Sequence, residues 1–295
     1  MSLLFHLAVC TGHFQPLHHG QLALINQALA LAPRCLVILE GAHAARSPRH
    51  PFTWQERMQT IRQALSEADR QRVEFVAVRE LYDRDRRASA VRNAVRNRAR
   101  TATSVALVAH LPDDSSVYFR EFPGWILIDP GRRAAPDGSE LREKLFGGAS
   151  AQQALAAIQP HVPAATLAFL REWSCSPHCE TMRAQWRAIH QERAKWAGSP
   201  YPPVFVTVNV VLQAAGHVLL IRRGAEPGKG RLALPGGFLE QRETIYASAL
   251  RELQEETTSA CLRRKPARPS SPCRSSTIRS AASEGVSSRT RTTSC

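Results

Sequence analysis

Seven residues late in this chain are spaced so that they could do chemistry. Gly237, Glu243, Arg251, Glu252, Leu253, Glu255 and Glu256 follow the pattern G-x5-E-x7-R-E-U-x-E-E, in which U is aliphatic. On a helix over residues 243–256, Glu252, Glu255 and Glu256 stand at i, i+3 and i+4 and share one face. They also fall in its last turn, where the helix dipole disfavours each negative charge by about 0.3–1 kcal/mol. A cation must offset that. Carboxylate oxygens in such a cluster are hard ligands suited to Mg2+ or Mn2+ on a diphosphate, with the metal polarising phosphorus and activating water. The competing reading is a solvated acidic face paired with Arg251. The glycine loop at 234–238, immediately before this helix, favours the metal.

A second constellation lies at the other end of the chain. Gly12-His13-Phe14-Gln15-Pro16-Leu17-His18-His19-Gly20-Gln21 fits G-x-F-x-P-x-H-x-G. It stands between an apolar run at residues 3–11 and a helical pattern at 19–31. Glycine lets backbone approach a phosphate, a helix N-terminus supplies oriented N–H groups, and imidazole can stabilise charge on a transferred phosphate. Chance histidines in a surface turn are the bland alternative, because a glycine loop by itself is a weak signal.

The elements that must position these residues alternate. Short β-rich runs at 35–39, 73–78, 104–109 and 125–128 are separated by helical patterns at 53–68 and 86–100, which implies an α/β parallel sheet with helices on both faces. Further helices are expected at 139–146, 152–158, 164–170 and 181–196, the last preceded by a loop at 174–180. Residues 198–203, Gly-Ser-Pro-Tyr-Pro-Pro, form the clearest boundary. Beyond it a hairpin at 204–222 turns around 213–216, and a short strand at 231–235 precedes the carboxylate helix.

The spacing around Glu252 is that of the Nudix box, and the chain resembles the Nudix hydrolases there. The resemblance implies pyrophosphate hydrolysis of an ADP-ribose-like dinucleotide. In it Glu252, Glu255 and Glu256 hold Mg2+ or Mn2+, Glu255 is catalytic, and Arg251 orients the carboxylates. The N-terminal pattern resembles the nucleotidyltransferase superfamily, and specifically the bifunctional nicotinamide-mononucleotide adenylyltransferase/Nudix hydrolases. Residues 41–57, 113–116 and 139–142 carry the resemblance further. It implies a Rossmann-like domain that transfers AMP from ATP to nicotinamide mononucleotide. His18, Gln21 and Arg142 are then catalytic, and Gly12, His13, Phe14, Gly20, Arg46, Trp54, Arg57 and Ser139 bind nucleotide. Two positions depart from that pattern: the arginine usual after the first glycine is His13, and the second histidine of H-x-G-H is Gln21. Weakened or altered transfer is therefore expected. The alternative is a nucleotide-binding or regulatory protein.

Composition bounds the rest. With 43% apolar and 22% charged residues in 295, the chain suits two globular cores. No apolar run reaches bilayer length and no cleavable leader is evident, so no membrane contact is expected. Seven cysteines at irregular spacing point to a reducing cytoplasm. The formal charge is +14, but residues 259–295 hold eight basic side chains and one acidic one. A nucleic-acid role is not expected, because no stacking aromatics interleave the arginines of 84–100. The trio Cys175, His178 and Cys179 has no second ligand pair at zinc-finger spacing. The expected organisation is an adenylyltransferase domain over 1–190, a linker over 191–203 and an incomplete α+β Nudix domain over 204–258 with impaired hydrolysis. A disordered basic tail over 259–295 follows, whose abrupt composition reads as a displaced frame. A homo-oligomer is expected.

Overall fold

The computed structural model describes residues 4–99, 104–110, 120–131, 136–201, 203–257, 275–279 and 287–293. The chain divides into two compact units, Met1–Arg187 and Ala188–Cys295.

In the first unit, β1 (Leu7–Gly12), β2 (Cys35–Ala42), β3 (Val73–Arg79), β4 (Val105–Val108) and β5 (Ile126–Ile128) form one parallel sheet in the order β3-β2-β1-β4-β5. Every residue of β2 is buried, as its near-continuous apolar run requires of an inner parallel strand. Alternate strand residues face opposite ways. Ala8, Cys10, Cys35, Val37 and Leu39 meet Leu24, Ile25, Ala28 and Leu29 of α1 (His19–Leu31) on one face. Leu7, Val9, Leu36 and Ile38 pack with Ala88, Val91 and Val95 on the other.

Thr53 opens α2 (Trp54–Ala64) with a capping box, its hydroxyl accepting from the Glu56 N–H while Glu56 accepts from the Thr53 N–H. The expected helix over 53–68 is cut short. Ser66 caps a separate single turn, α3 (Glu67–Arg70), by accepting from the Asp69 N–H. Asp83 likewise caps α4 (Arg84–Arg98).

Four helices then build a third core: α5 (Gly138–Gly147), α6 (Ala151–Ile158), α7 (Ala164–Ser174) and α8 (Pro177–Ala194). Leu141, Leu145, Ile158, Leu170, Trp173 and Met182 are buried together, with Phe52 from the segment before α2. The expected loop at 174–180 shrinks to two residues because Pro177 begins α8, and a proline is tolerated in a first helical turn where no N–H is needed.

The second unit is built on β6 (Phe205–Val211). Two short ladders follow: β7 (Gln213–Ala214) with β8 (His217–Val218), and β9 (Ile221–Arg222) with β10 (Leu232–Ala233). The strand expected across 217–222 is thus two strands with different partners. Thr244 caps α9 (Ile245–Glu256), whose Ala249 and Leu253 bury against Val208 and Val210. Within the segment expected to be disordered, two strands are described. Here β12 (Ser287–Thr293) runs parallel to β6 and antiparallel to β11 (Ser275–Arg279), and their threonines suit extended backbone. The remainder of 258–295 lies outside the described residues, as do residues 113–116.

Among the described residues no helix is long and apolar enough to cross a membrane.

Leu141 is fully buried in the third core and sits between Ser139 and Arg142 on α5. Leu141→Ala is expected to cost about 2–5 kcal/mol of unfolding free energy. Urea unfolding followed by circular dichroism measures it.

Candidate functional site

The order β3-β2-β1-β4-β5 reverses direction between β1 and β4. In open α/β sheets that reversal opens a crevice at the carboxyl ends of the strands. A cavity of about 1240 Å3 lies there, lined by the loop after β1, by the first turns of α1 and α5, and by residues following β2, β3 and β4. His18, Gln21, Ser139 and Arg142, far apart in sequence, all face it, with Gly12, His13, Phe14 and Gly20.

Several buried contacts hold the loop after β1. Gln15 is 1% exposed, donates to the Phe52 carbonyl (2.8 Å) and accepts from the Phe52 N–H (3.0 Å). Arg142 Nη1 donates to the Gln15 carbonyl at 2.7 Å. Burial lowers the Arg142 pKa to about 10, so it remains a cation at neutral pH. His18 is the N-cap of α1, yet its side chain makes no capping hydrogen bond. The first N–H groups of α1 thus have no side-chain acceptor among the described residues, and Gly20 and Gln21 of that turn line the cavity, an arrangement suited to anions. Burial pushes the His18 pKa down to about 4, with further lowering from His110 and His19 against a raising effect of Asp137. His18 is neutral at pH 7, and phosphate charge nearby would raise its proton affinity. Gln21 Oε1 is buried and unpaired among the described residues. Because amide oxygen and nitrogen are interchangeable by a flip, this side chain can present a donor to an anion.

Three residues expected on nucleotide stand elsewhere. Arg57 is 3% exposed and donates to the carbonyls of His13 (2.6 Å), Glu40 (2.7 Å) and Thr53 (3.3 Å). Arg46 pairs with both carboxylate oxygens of Glu56 at 2.7 and 2.8 Å and donates to the Pro51 carbonyl. Trp54 stacks edge-on with His43, 6.2 Å between ring centres. None of the three lines the cavity. The hydrogen bonds of Arg57 and Arg46 hold the loops that do. Conversely, Arg49, Arg84, Arg87, Glu40 and Glu80 face the cavity. Arg87 clamps Glu40 with two hydrogen bonds (3.0 and 2.9 Å), and burial raises the Glu40 pKa against that pull. Arg87 belongs to an arginine run that reads as a solvated helix face, and only the packing of α4 beside β2 turns it inward. Glu40 closes an apolar strand, which was the one signal for it in sequence.

In the second unit the loop at 235–239 runs beside β6. Val210 donates to the Pro235 carbonyl and Val208 to the Gly237 carbonyl, both at 2.8 Å. A Cβ at Gly236 would collide with the Val208 carbonyl, and one at Gly237 with the Glu252 carboxylate. This close approach explains the glycine pair. Arg251 donates to Glu243 (3.0 Å), Glu252 (2.8 Å) and Glu255 (3.1 Å), and to the Phe238 carbonyl (3.1 Å). Its hydrogen bonds hold the Glu243 carboxyl below the usual range. Glu256 accepts from the Gly236 N–H at 2.8 Å and lines a separate cavity of about 500 Å3 with Arg222 and Arg223. The three glutamates share a helix face as expected, but their oxygens do not gather within ligand distance, nor do the sulfur and nitrogen atoms of Cys175, His178 and Cys179. The hard oxygen donors of this helix face fit a divalent cation such as Mg2+ or Mn2+. Glu252, Glu255 and Glu256 would hold it.

Residues 9–109 match the cytidylyltransferase-like family and residues 203–275 match the Nudix domain. The chain therefore combines a Rossmann-like nucleotidyltransferase domain with a Nudix domain. Along its length it resembles the bifunctional nicotinamide-mononucleotide adenylyltransferase/ADP-ribose pyrophosphatase of Francisella tularensis. That crystal structure aligns with 98% of this chain and 84% of its own at 26% identity and a TM-score of 0.84. A second structure of the Francisella protein, with AMP and a manganese ion, matches equally. A nicotinamide/nicotinic acid mononucleotide adenylyltransferase of Acinetobacter baylyi is 26% identical over 185 residues, 62% of this chain and 95% of its own. An ADP-ribose pyrophosphatase of Methanocaldococcus jannaschii is 44% identical over 52 residues, 18% of this chain and 31% of its own. The Nudix match continues to residue 275, beyond the point where periodicity fails.

Unfolding should respond to pH through His18. Its folded pKa of about 4 lies below the unfolded value of about 6.5, so the unfolded chain takes up the proton first. The stabilisation from neutral His18 is complete above pH 6.5 and falls as pH drops toward 4. His18→Gln should make the decline in unfolding free energy between pH 7 and pH 5 shallower, as measured by denaturant titration.

Proposed function

We propose that this chain is a two-activity enzyme of pyridine-nucleotide metabolism. The first domain transfers AMP from ATP to nicotinamide mononucleotide, and the second hydrolyses a pyrophosphate of the ADP-ribose type. The observation that carries the first half is the crevice at the sheet reversal. There a backbone-lined phosphate loop, the open N-terminus of α1, and Ser139 and Arg142 on α5 converge. Similarity to the Francisella bifunctional protein over nearly the whole chain supports joining the two activities.

In transfer, a phosphate oxygen of the mononucleotide attacks the α-phosphorus of ATP in line. The bond from that phosphorus to the β,γ-diphosphate breaks, and pyrophosphate leaves. Catalysis of this kind is mostly positioning and charge stabilisation. Arg142 and the N–H groups of α1 face the developing negative charge, His18 and Gln21 supply hydrogen bonds, and the Ser139 hydroxyl binds a phosphate oxygen. In hydrolysis, water adds to one phosphorus and the P–O–P bond breaks. A bound Mg2+ or Mn2+ supplies Lewis acidity and a more acidic water. Arg251 keeps Glu252 and Glu255 ordered before it binds. Weak hydrolysis is expected, because the glycine and aliphatic residue usual at the end of the Nudix box are Thr258 and Ser259 here.

A second reading, nucleotide binding without transfer, is favoured by the uncharged Gln21 and His13. NAD formation from ATP and nicotinamide mononucleotide, measured beside binding titrations, separates the two. His18→Ala and Arg142→Ala should each lower the rate roughly 10²–10³-fold, and Gln21→His should raise it. Wild-type rates in both alanine variants would refute the site assignment, and tight binding without any NAD would select the second reading.

For the hydrolase, Glu255→Gln combined with Glu256→Gln removes two of the proposed ligand charges. Calorimetric Mn2+ affinity of the second unit's site and ADP-ribose turnover should both be lost. Unchanged values would place the metal elsewhere.

A further inference from the structure

One residue of the phosphate loop, His13, belongs to a cluster whose other two members take no part in the proposed reactions. The ligand atoms of His13, His50 and Glu80 lie within 4.8 Å of one another, and no other such group of three occurs among the described residues. His13 Nδ1 stands 3.7 Å from Glu80 Oε2, and the rings of His13 and His50 are 5.2 Å apart. These three come from different places in the fold: the turn after β1, the loop before α2 and the end of β3.

From this geometry we infer that His13, His50 and Glu80 form a binding site for a first-row transition-metal ion, best suited to Zn2+.

Four observations support it. The donor set is two imidazoles and one carboxylate, a combination used by three-ligand zinc sites that keep a further position open. Among the described residues, His13 Nδ1, His50 Nδ1 and Glu80 Oε2 are buried polar atoms without a hydrogen-bond partner, so the cluster lacks the internal pairing expected of a structural network. Burial pushes both imidazole pKa values down, His50 to about 4, so both rings are neutral ligands at pH 7. Lastly, Nε2 of His13 stands 3.9 Å from the Glu40 carboxylate, too long for a hydrogen bond but near enough for its charge to favour a cation at this ring.

Gly41 makes room for the ion. Its φ is +65°, and a Cβ there would approach Glu80 Oε2, His13 Nδ1 and His50 at 3.1–3.3 Å. Ligand atoms of a tetrahedral Zn2+ are roughly 3.3–3.5 Å apart, from bond lengths of about 2.0–2.2 Å. The His13–Glu80 pair is already near that spacing, and binding requires His50 to close toward them. Arg49, Arg57 and Arg87 lie close enough to repel a cation. Arg87, however, is clamped to Glu40 and Arg57 faces backbone carbonyls. His13 and Glu80 both line the large cavity, so the open position faces it and would accept water or a phosphate oxygen. The ion would restore positive charge at a neutral stretch of the loop.

The test uses the full chain, stripped with a chelator and titrated with Zn2+ in competition with a chromophoric chelator. Millimolar Mg2+ is present throughout to occupy the carboxylate site. One equivalent should bind per chain. His50→Gln and Glu80→Gln should each weaken it by 10–100-fold or more, while Cys175→Ser changes nothing. X-ray absorption on the zinc-loaded wild type gives an answer independent of how the variants fold. Nitrogen and oxygen neighbours with imidazole scattering are expected. No binding under Mg2+, a sulfur shell, or wild-type affinity in both glutamine variants would overturn the site.

Discussion

The crevice depends on one buried cation. Arg57 reaches from α2 to the carbonyls of His13 and Glu40, at the ends of β1 and β2. His13 lies just past β1 and Glu40 in the irregularity of the β2–β3 ladder between Leu39 and Ala42, and a buried carbonyl without a donor costs about 1–3 kcal/mol. A guanidinium has donors spread widely enough to serve both, and Glu80, Glu40 and Glu56 offset the charge it brings inside. Burial lowers its pKa only to about 10, so the cation persists. Lysine could not span the same acceptors. With the two strand ends tied, the loop between Gly12 and His18 can stay open toward its ligand without collapsing onto the sheet.

Much of this was legible in the residues themselves. The alternation of apolar runs and helical spacing defines the parallel sheet, and the turn from Gly12 to Gly20 marks its working edge. Caps were less legible: Thr53, Asp83, Ser150 and Thr244 each accept from an N–H in the first turn, and the helix expected from Ser139 is capped by Asp137, two residues earlier. Spacing cannot say which polar side chains face inward. Arg57 and Arg46 resemble ligand-binding arginines in sequence, yet both are held by protein acceptors. Arg87 sits in an arginine run that reads as a solvated face, and Glu80 carries no pattern at all. Their positions follow from how α4 and the end of β3 pack, a tertiary result that no local window contains.

The two halves solve related problems with opposite chemistry. In the first, neutral imidazoles, backbone N–H groups and arginines surround a place for phosphate charge. In the second, an acidic helix face waits on a cation, and Arg251 stands in for it by binding Glu243, Glu252 and Glu255 together. That network offsets two of the three carboxylates in the last helical turn, Glu252 and Glu255, while Glu256 accepts from the Gly236 N–H. The glycines at 236 and 237 serve the same end, since they let the loop lie against both β6 and the carboxylates.

Glu56 has a further consequence. Its carboxylate closes the capping box with Thr53 and also receives both guanidinium nitrogens of Arg46. The loop between β2 and α2 and the first turn of that helix therefore share a single anchor. In the language of native-state exchange they form one cooperative opening unit. Amides on either side of the anchor should exchange with a common free energy, set by one side chain rather than by the loop's length or the helix's own propensity.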